Sequence, residues 1–204
     1  ACSTPVYEGM KTKTDTVRSI QARRTMVELL ISDHPKDCLV CLKNQECELQ
    51  KVSADLGIKQ VHYEGEMSLF PVDMSSKAIY RDSSKCILCR RCETMCNEVQ
   101  TVYALSGLDR GFDTVVGPAF HAPLGDTVCT FCGQCVAVCP TGALVEIDNV
   151  TRVWKAIADK KKTVVVQVAP AVRVALGELF GLEPGTVVTG KMVTALRSIG
   201  FDYV

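Results

Sequence analysis

The chain lacks several features that would assign it to common functional classes. Its 204 residues carry 23 basic and 23 acidic side chains, so the formal net charge is zero. This balance gives no sign of a nucleic-acid-binding surface or of a polybasic membrane anchor. No apolar run approaches the roughly 18 residues of a membrane-spanning helix, and no signal-peptide pattern stands at the N-terminus. Because 47% of the residues are apolar, the chain can nevertheless bury a core and is not a disordered tail.

Cysteine is abundant up to Cys139 and absent after it. Eight of the twelve cysteines form two copies of the pattern C-x2-C-x2-C-x3-C, and each cysteine of the second copy follows its counterpart by 43 residues. This run is typical of bacterial ferredoxins with two [4Fe–4S] clusters, in which the fourth cysteine of each run binds the other cluster. The predicted ligand sets are therefore Cys86, Cys89 and Cys92 with Cys139, and Cys129, Cys132 and Cys135 with Cys96.

Zinc and disulfides are the other common uses of cysteine. Zinc is usually bound by separate C-x2-C knuckles that the fold brings together, so two complete runs in register fit zinc badly. A secreted domain held by disulfides would be shorter, and its cysteines would rarely repeat in this register. Many free thiols indicate a reducing compartment, and we predict a cytoplasmic protein.

Three further cysteines follow a histidine in the pattern H-x3-C-x2-C-x5-C. The four residues are His34, Cys38, Cys41 and Cys47. Added to the eight cysteines above, they complete three sets of four ligands, which favours a third [4Fe–4S] cluster with one histidine ligand. A zinc site with the same four ligands stays open at this point. His62 and His121 have no such neighbours, and we expect them to be ordinary surface or core residues.

Hydrophobic periodicity predicts two helices around this histidine. The first is capped by Thr14 or Asp15 and runs to about Ser32. Its expected apolar stripe comprises Val17, Ile20, Val27, Leu30 and Ile31. The second begins near Cys47 and ends at Gly57; its expected inward side chains are Leu49, Val52 and Leu56. Pro35 disfavours helix at His34, so we expect the ligands to lie where the two helix ends meet.

The two cysteine runs predict a ferredoxin-like module from about Ser84 to Asp148. Each run should lead into a short helix and then a strand or turn, as in Val145–Ile147, and residues 97–128 should be loop-rich. Arg90 and Arg91 are expected at the surface, where they can also offset cluster charge. After the module we expect a helix from Asn149 that ends in the charged run 159–162. A buried strand over 163–169 and helices over 170–180 and 191–199 follow.

The order of these segments resembles the large subunit of [FeFe]-hydrogenases. The resemblance rests on Ala-Cys-Ser-Thr-Pro-Val at 1–6, the histidine-containing ligand set, the two ferredoxin runs, and Val-Ala-Pro-Ala-Val-Arg at 168–173. It implies that Cys2 is the last cofactor-binding residue of a [2Fe–2S] domain whose other ligands precede this chain. It also implies a catalytic H-cluster downstream of it. We therefore expect three [4Fe–4S] clusters and no catalytic residue here, with the [2Fe–2S] cluster and the H-cluster present only in the full-length protein.

The resemblance implies an α+β chain in four parts. Residues 1–10 would end the truncated [2Fe–2S] domain, which is like a plant ferredoxin, and 11–79 would form the helical module with the histidine ligand. Residues 80–150 would form the two-cluster module, and 151–204 a linker helix with the opening strand and helices of an α/β catalytic domain.

The function that this resemblance implies is electron relay within an NAD(P)-linked or complex-forming hydrogenase. The expected partners are a flavin subunit that oxidises NAD(P)H, a formate dehydrogenase subunit or a soluble ferredoxin; no nucleic acid and no membrane span are expected. Two alternative families share the front half of the chain: NAD-dependent formate dehydrogenases and the iron–sulfur subunit of complex I. A third alternative, of another class, is a stand-alone polyferredoxin that carries electrons without catalysis.

Overall fold

The computed structural model describes residues 4–204 and divides the chain into two compact units, Ala1–Ile147 and Asp148–Val204. Both combine helices with very short extended segments. Among the described residues, no helix is both long enough and apolar enough to cross a membrane.

The first unit begins with two helices, and the shorter one packs against only the C-terminal half of the longer one. Helix α1 spans Val17–Ser32 and α2 spans Glu48–Asp55. An eight-residue helix is about 12 Å long, half the length of α1, so it covers only the C-terminal half of α1. Val27 is accordingly buried against Leu49. The predicted inward positions Val17, Ile20 and Val52 are wrong, because their side chains are 72%, 37% and 42% exposed.

The N-terminal cap of α1 also differs from the prediction. The hydroxyl of Thr16, rather than Thr14 or Asp15, accepts a hydrogen bond from the Ser19 N–H at 3.2 Å. Helix α2 follows Cys47 directly and is succeeded by Gly57, whose φ of 64° lies in the left-handed region that ends helices.

The rest of the first unit contains a small antiparallel sheet whose two strands precede and follow the cysteine runs in the chain. Strand β1, Ile79–Arg81, pairs with β4, Leu144–Glu146, so that Ile79 lies opposite Glu146. The buried side chains beneath this sheet are Ile79, Leu105, Leu124 and Leu144, and several cysteines of both runs pack against them.

Between these strands, short helices fall inside the cysteine runs rather than after them. Helix α3, Arg91–Thr94, contains Cys92 and continues as a wider π-type turn, Met95–Val99. Helix α4, Gln134–Ala137, contains Cys135. The prediction that each helix follows its run is therefore wrong. Cys92, Cys96 and Cys135 lie in helical turns instead, and Cys139 follows α4.

The region expected to be loop-rich contains a hairpin. Strands β2, Ser106–Leu108, and β3, Val115–Gly117, pair antiparallel. A single turn of 3₁₀ helix, Gly111–Asp113, lies between the two strands. Two more such turns follow β3 at Ala119–His121 and Leu124–Asp126.

The second unit is helical, with α5 at Val150–Ala158, α6 at Pro170–Leu179 and α7 at Thr189–Ile199. The charged run 159–162 follows α5 as a turn rather than ending it. The predicted buried strand over 163–169 is wrong: Val165 is 67% exposed and forms one isolated parallel bridge with Tyr203. A strand needs a hydrogen-bonded neighbour, and the described residues of this unit offer Val165 only Tyr203.

Candidate metal centres

The first candidate site is a cavity lined by four thiols and by apolar side chains. Its cysteines are Cys86, Cys89, Cys92 and Cys139. The apolar side chains around them are Ile87, Leu105, Ala143 and Leu144. Three of the thiols come from the first cysteine run and the fourth from the end of the second run.

The second candidate site repeats this arrangement with the runs exchanged. Its cysteines are Cys96, Cys129, Cys132 and Cys135. Leu105 lines both cavities, so they lie on either side of one buried side chain. This is the grouping that the crossed ligand sets require, while the ligand roles themselves stay a prediction.

The repeat extends to backbone conformation, which the sequence did not indicate. Four residues of the two runs have a left-handed φ: Leu88 (54°), Arg90 (58°), Phe131 (56°) and Gly133 (76°). They form two pairs of counterparts, again 43 positions apart. A non-glycine residue in this region costs about 1–2 kcal/mol, and such strain is concentrated at ligand clamps.

The left-handed turn gives each run a backbone donor for a thiol. The N–H of Leu88 donates to Sγ of Cys86 at 3.4 Å. In the second run, the N–H of Phe131 interacts in the same way with Cys129 and favours its thiolate. Hydrogen bonds to the charged form are what a thiolate ligand requires.

Burial makes these thiols poor acids in the protein alone. It raises the pKa of Cys92 to about 12 and that of Cys135 to about 11, and the neighbouring thiols add to both effects. The pKa values of Cys86 and Cys129 are raised by burial as well. Four facing thiols therefore ionise together only around a bound cation, which deprotonates its thiol ligands. This donor set fits an iron–sulfur cluster.

Within residues 4–204, no three His, Cys, Asp or Glu side chains are arranged to hold one metal ion. A four-iron cluster is larger than one ion, and the thiols that would hold it surround a shared cavity.

The third candidate site lies between the end of α1 and the start of α2. His34, Cys38 and Cys47 line one cavity together with Leu49 and Ile58. Burial lowers the pKa of His34, although Asp37 partly opposes the shift. The imidazole is consequently neutral at pH 7, which is the form that binds metals.

Cys41, the fourth predicted ligand of this site, does not line that cavity. Its Sγ lies against Gly142, where an added Cβ would be only 2.7 Å from the sulfur. The structure thus brings three of the four predicted ligands to one cavity, whereas Cys41 lies against Gly142 and interacts with Lys85.

The other residues singled out in the sequence lie at or near the protein surface where the structure describes them. Arg90 lines the first cavity and lies 3.6 Å from Glu93; Arg91 is half exposed. His62 and His121 are largely exposed, and each contacts a carboxylate, at 3.1 Å and 2.9 Å respectively. Cys2 lies outside the described residues.

Two cations near the sites were missed by sequence reasoning. Arg81 lines the first cavity, and Lys85 is buried beside the third site. The one signal for Lys85 in the sequence is that it directly precedes the predicted ligand Cys86.

Three protein families match separate stretches of the chain. Residues 23–62 match the "NADH-ubiquinone oxidoreductase-G iron-sulfur binding region" and residues 85–143 the "4Fe-4S dicluster domain". Residues 162–204 match the "Iron only hydrogenase large subunit, C-terminal domain". The first two stretches contain all of the candidate sites described above.

Two curated relatives match over the whole chain. The chain is 60% identical to the NADP-reducing hydrogenase subunit HndD of Solidesulfovibrio fructosivorans over 205 residues, which are 100% of this chain and 35% of the relative. It is 34% identical to iron hydrogenase 1 of Clostridium pasteurianum over 212 residues, again 100% of this chain and 36% of the relative. The chain thus spans about a third of the length of these relatives.

A solved structure is similar over most of the chain. It is the crystal structure of an NAD+-reducing [NiFe]-hydrogenase in the H2-reduced state, with a TM-score of 0.65 and 25% identity. The match covers 71% of this chain and 62% of that chain.

Proposed function

We propose that this chain, a segment of a large subunit of the [FeFe]-hydrogenase type, is the electron relay of a hydrogenase. In this proposal it carries electrons between a redox partner and the H-cluster at which protons and H2 interconvert. In this proposal the chain supplies no cysteine to the H-cluster, since the cysteines of its first 139 residues are assigned to the relay and none follows Cys139.

The observation that carries the proposal is the pair of cavities with exchanged cysteines, followed in the chain by the hydrogenase match. Eight thiols in two sets of four fit two [4Fe–4S] clusters. The stretch 162–204 then matches the hydrogenase C-terminal domain. A relay that leads into this domain accounts for both findings.

The residues of the chain have three tasks in this role. The thiolates of both runs hold the clusters, each of which accepts and releases one electron when bound. The backbone N–H groups of Leu88 and Phe131 stabilise thiolates. The buried side chains of Ile79, Leu105 and Leu124 keep water from the region around the cysteines, which limits the rearrangement of solvent when charge moves.

A third [4Fe–4S] cluster is proposed at His34, Cys38, Cys41 and Cys47. Support comes from the neutral imidazole and from the two cysteines that face it across one cavity. The match to an iron–sulfur binding region over residues 23–62 also supports this site. In the proposal, Cys41 turns from Gly142 towards the other three ligands when the cluster binds.

Domain limits and cofactors of the full-length protein belong to the same proposal. Residues 1–10 end a [2Fe–2S] domain with Cys2 as a ligand, 11–79 and 80–150 carry the three relay clusters, and 151–204 open the catalytic domain. The relative's name, a subunit of an NADP-reducing hydrogenase, supports an NADP-linked multi-subunit complex; in this proposal the partner is a flavin-containing NAD(P)H subunit and the complex is cytoplasmic. A formate dehydrogenase subunit and a soluble ferredoxin remain the alternatives.

A subunit like that of complex I is the second candidate, because residues 23–62 match such a family. The two candidates differ after residue 160, where the match is to hydrogenases. The hydrogenase relay is therefore the proposal.

Metal analysis tests the relay clusters. After reconstitution without oxygen, we expect about twelve iron and twelve sulfide per chain, as three four-iron clusters require. Stoichiometric zinc, with iron for no more than two clusters, would contradict the proposal.

Hydrogen isotope exchange tests the relay role in the full-length protein. Exchange between H2 and D2O occurs at a catalytic site and needs no electron from a partner. Cys135→Ala should therefore abolish H2-dependent reduction of the partner while leaving exchange intact. Loss of both, in a variant that keeps its other clusters, would mean that Cys135 serves catalysis rather than relay.

A further inference from the structure

A buried lysine lies between the third candidate site and the ferredoxin-like module. Lys85 is only 8% exposed. Its Nζ is 2.9 Å from an Oδ of Asp37 and 3.7 Å from an Oδ of Asp82. Asp37 belongs to the ligand loop of the third site, whereas Lys85 directly precedes the first cysteine of the ferredoxin runs.

The backbone of Lys85 is fixed from the ferredoxin side. Its carbonyl oxygen accepts a hydrogen bond from the hydroxyl of Thr141 at 2.6 Å, and Thr141 is 1% exposed. Its own N–H donates to the carbonyl of Asp82 at 3.1 Å. The side chain is therefore anchored in one module while its ammonium group is held by an aspartate of the other.

The ammonium group faces the third site more than the first. It interacts electrostatically with His34 and with Cys41. The stem of Lys85 and the sulfur of Cys41 also lie against the same face of Gly142. At Cys86, by contrast, the leading cation is Arg81.

We propose that Lys85 is a positioning and tuning residue that stabilises the reduced state of the cluster held at His34. The inference rests on the proposed function, since it requires that a cluster binds there. Lys85 raises the reduction potential of that cluster relative to the cluster proposed at the second site, which is lined by Cys96, Cys129, Cys132 and Cys135.

The sign follows from charge. Reduction adds one electron to the cluster, so a nearby fixed cation favours the reduced form. A unit charge about 10 Å away in a medium of effective dielectric constant near 20 changes a one-electron equilibrium by about tenfold. Tenfold corresponds to about 59 mV for one electron.

The nearby carboxylates act in the opposite direction. Asp33, Asp37 and Asp82 are the anions that face His34, and two of them are paired with Lys85. Loss of the lysine charge leaves these carboxylates uncompensated, which makes the surroundings of the cluster more negative. Removal of Lys85 and neutralisation of Asp37 should thus shift the potential in opposite directions.

Potentiometric EPR of the reconstituted 204-residue chain tests the inference. The signal of the third site is first identified as the one that Cys47→Ala removes. Lys85→Met should then lower its midpoint potential by about 59 mV, which corresponds to about a tenfold change in the one-electron equilibrium constant. Lys85→Arg should restore the value, and the signal of the cluster at Cys129 should stay unchanged in both variants.

Lys51→Met is the matched control. Lys51 is exposed in α2, four residues after Cys47, and does not line the cavity of the third site, so its charge is screened by water. We expect a shift well below that of Lys85→Met. Equal shifts in the two variants, or none in Lys85→Met, would overturn the inference.

Asp37→Asn decides the matter if Lys85→Met fails to assemble. It should raise the same midpoint, and an unchanged or lowered value would overturn the inference. Failure of the proposed function looks different, since the wild-type chain would then contain no cluster signal that depends on Cys47.

Discussion

The guanidinium group of Arg91 contacts both carboxylate oxygens of Glu48 at 2.9 Å. Arg91 directly precedes Cys92, and Glu48 directly follows Cys47, so the pair connects the ligand segments of two proposed clusters. The N–H of Glu48 also donates to the carbonyl of Pro140 at 2.8 Å, next to Cys139. These contacts and the ion pair between Lys85 and Asp37 connect the segments of the third site with those of the first.

Loss of this ion pair should have a small effect on stability. Both side chains are about half exposed, and an exposed pair contributes roughly 0.2–1 kcal/mol. Arg91→Ala should lower the free energy of unfolding, measured by urea titration without oxygen, by no more than this. Glu48→Gln should do the same, and the effects should shrink in high salt. A loss of several kcal/mol would show that the pair holds the two modules together.

Crossed ligation predicts which cluster each fourth cysteine supports. Cys139→Ala should damage the cluster at Cys86, and Cys96→Ala should damage the cluster at Cys129. Each variant serves as the control for the other, because both remove one thiol from the same type of run. EPR and iron analysis distinguish the two clusters. The assignment is wrong if Cys139 proves to be bonded to the same cluster as Cys135.

Replacement of the histidine ligand should lower one potential. A neutral imidazole leaves a cluster one unit less negative than a fourth thiolate, and less negative charge favours reduction. His34→Cys, if the cluster assembles, should lower the midpoint potential of that cluster in potentiometric EPR. Hydrogen bonds and solvent exposure also contribute, so the prediction concerns the sign. His62→Cys is a suitable control because His62 lines none of the described cavities; an unshifted or raised midpoint in His34→Cys would contradict the prediction.

Asp73 should contribute stability that is lost only in strong acid. Burial raises the pKa of this carboxyl, but hydrogen bonds from Ser75 and from the N–H of Leu124 outweigh it, and the net pKa is lowered. A lowered folded pKa stabilises the protein above the unfolded value of about 3.9, and this contribution disappears as the pH falls through the folded pKa.

Asp73→Asn should cost about 1–3 kcal/mol of unfolding free energy at pH 7, because it disrupts a buried hydrogen-bonded group. The difference from wild type should stay constant down to about pH 5 and shrink only below pH 4. Urea titrations across this range provide the measurement. Asp126→Asn, at an exposed site in the same region, should change stability by less than about 0.5 kcal/mol. A difference that shrinks between pH 7 and pH 5 would contradict the assignment.

The grouping of the cysteines could be predicted from sequence because spacing along the chain limits which thiols can meet. Two identical runs offset by 43 residues predict two equivalent sites, and the structure places four thiols at each cavity. The exposure of Val17 and Ile20 could not be predicted in this way. Periodicity gives the apolar face of a helix but not the length of the element that covers it.

The hairpin was missed because its strands are short and contain glycine. Gly107 and Gly117 read as turn residues, yet both lie in strands. An added Cβ on Gly107 would meet the guanidinium of Arg90, and one on Gly117 would lie 2.7 Å from Nη1 of Arg81. These glycines let arginine side chains cross the strands, which is a long-range requirement without a local signature. The position of Lys85 between two sites is similarly a property of the tertiary structure.

The pairing of β1 with β4 brings the two ends of the ferredoxin-like module together. The N–H of Ile147 donates to the carbonyl of Ala78 at 2.9 Å, so the chain enters and leaves the module at adjacent strands, which are about 4.8 Å apart in a sheet. A module with neighbouring ends can be inserted between different flanking sequences without stretching either. Because of this geometry, recombination can join the module to different flanking sequences as one unit, and both cysteine runs stay together.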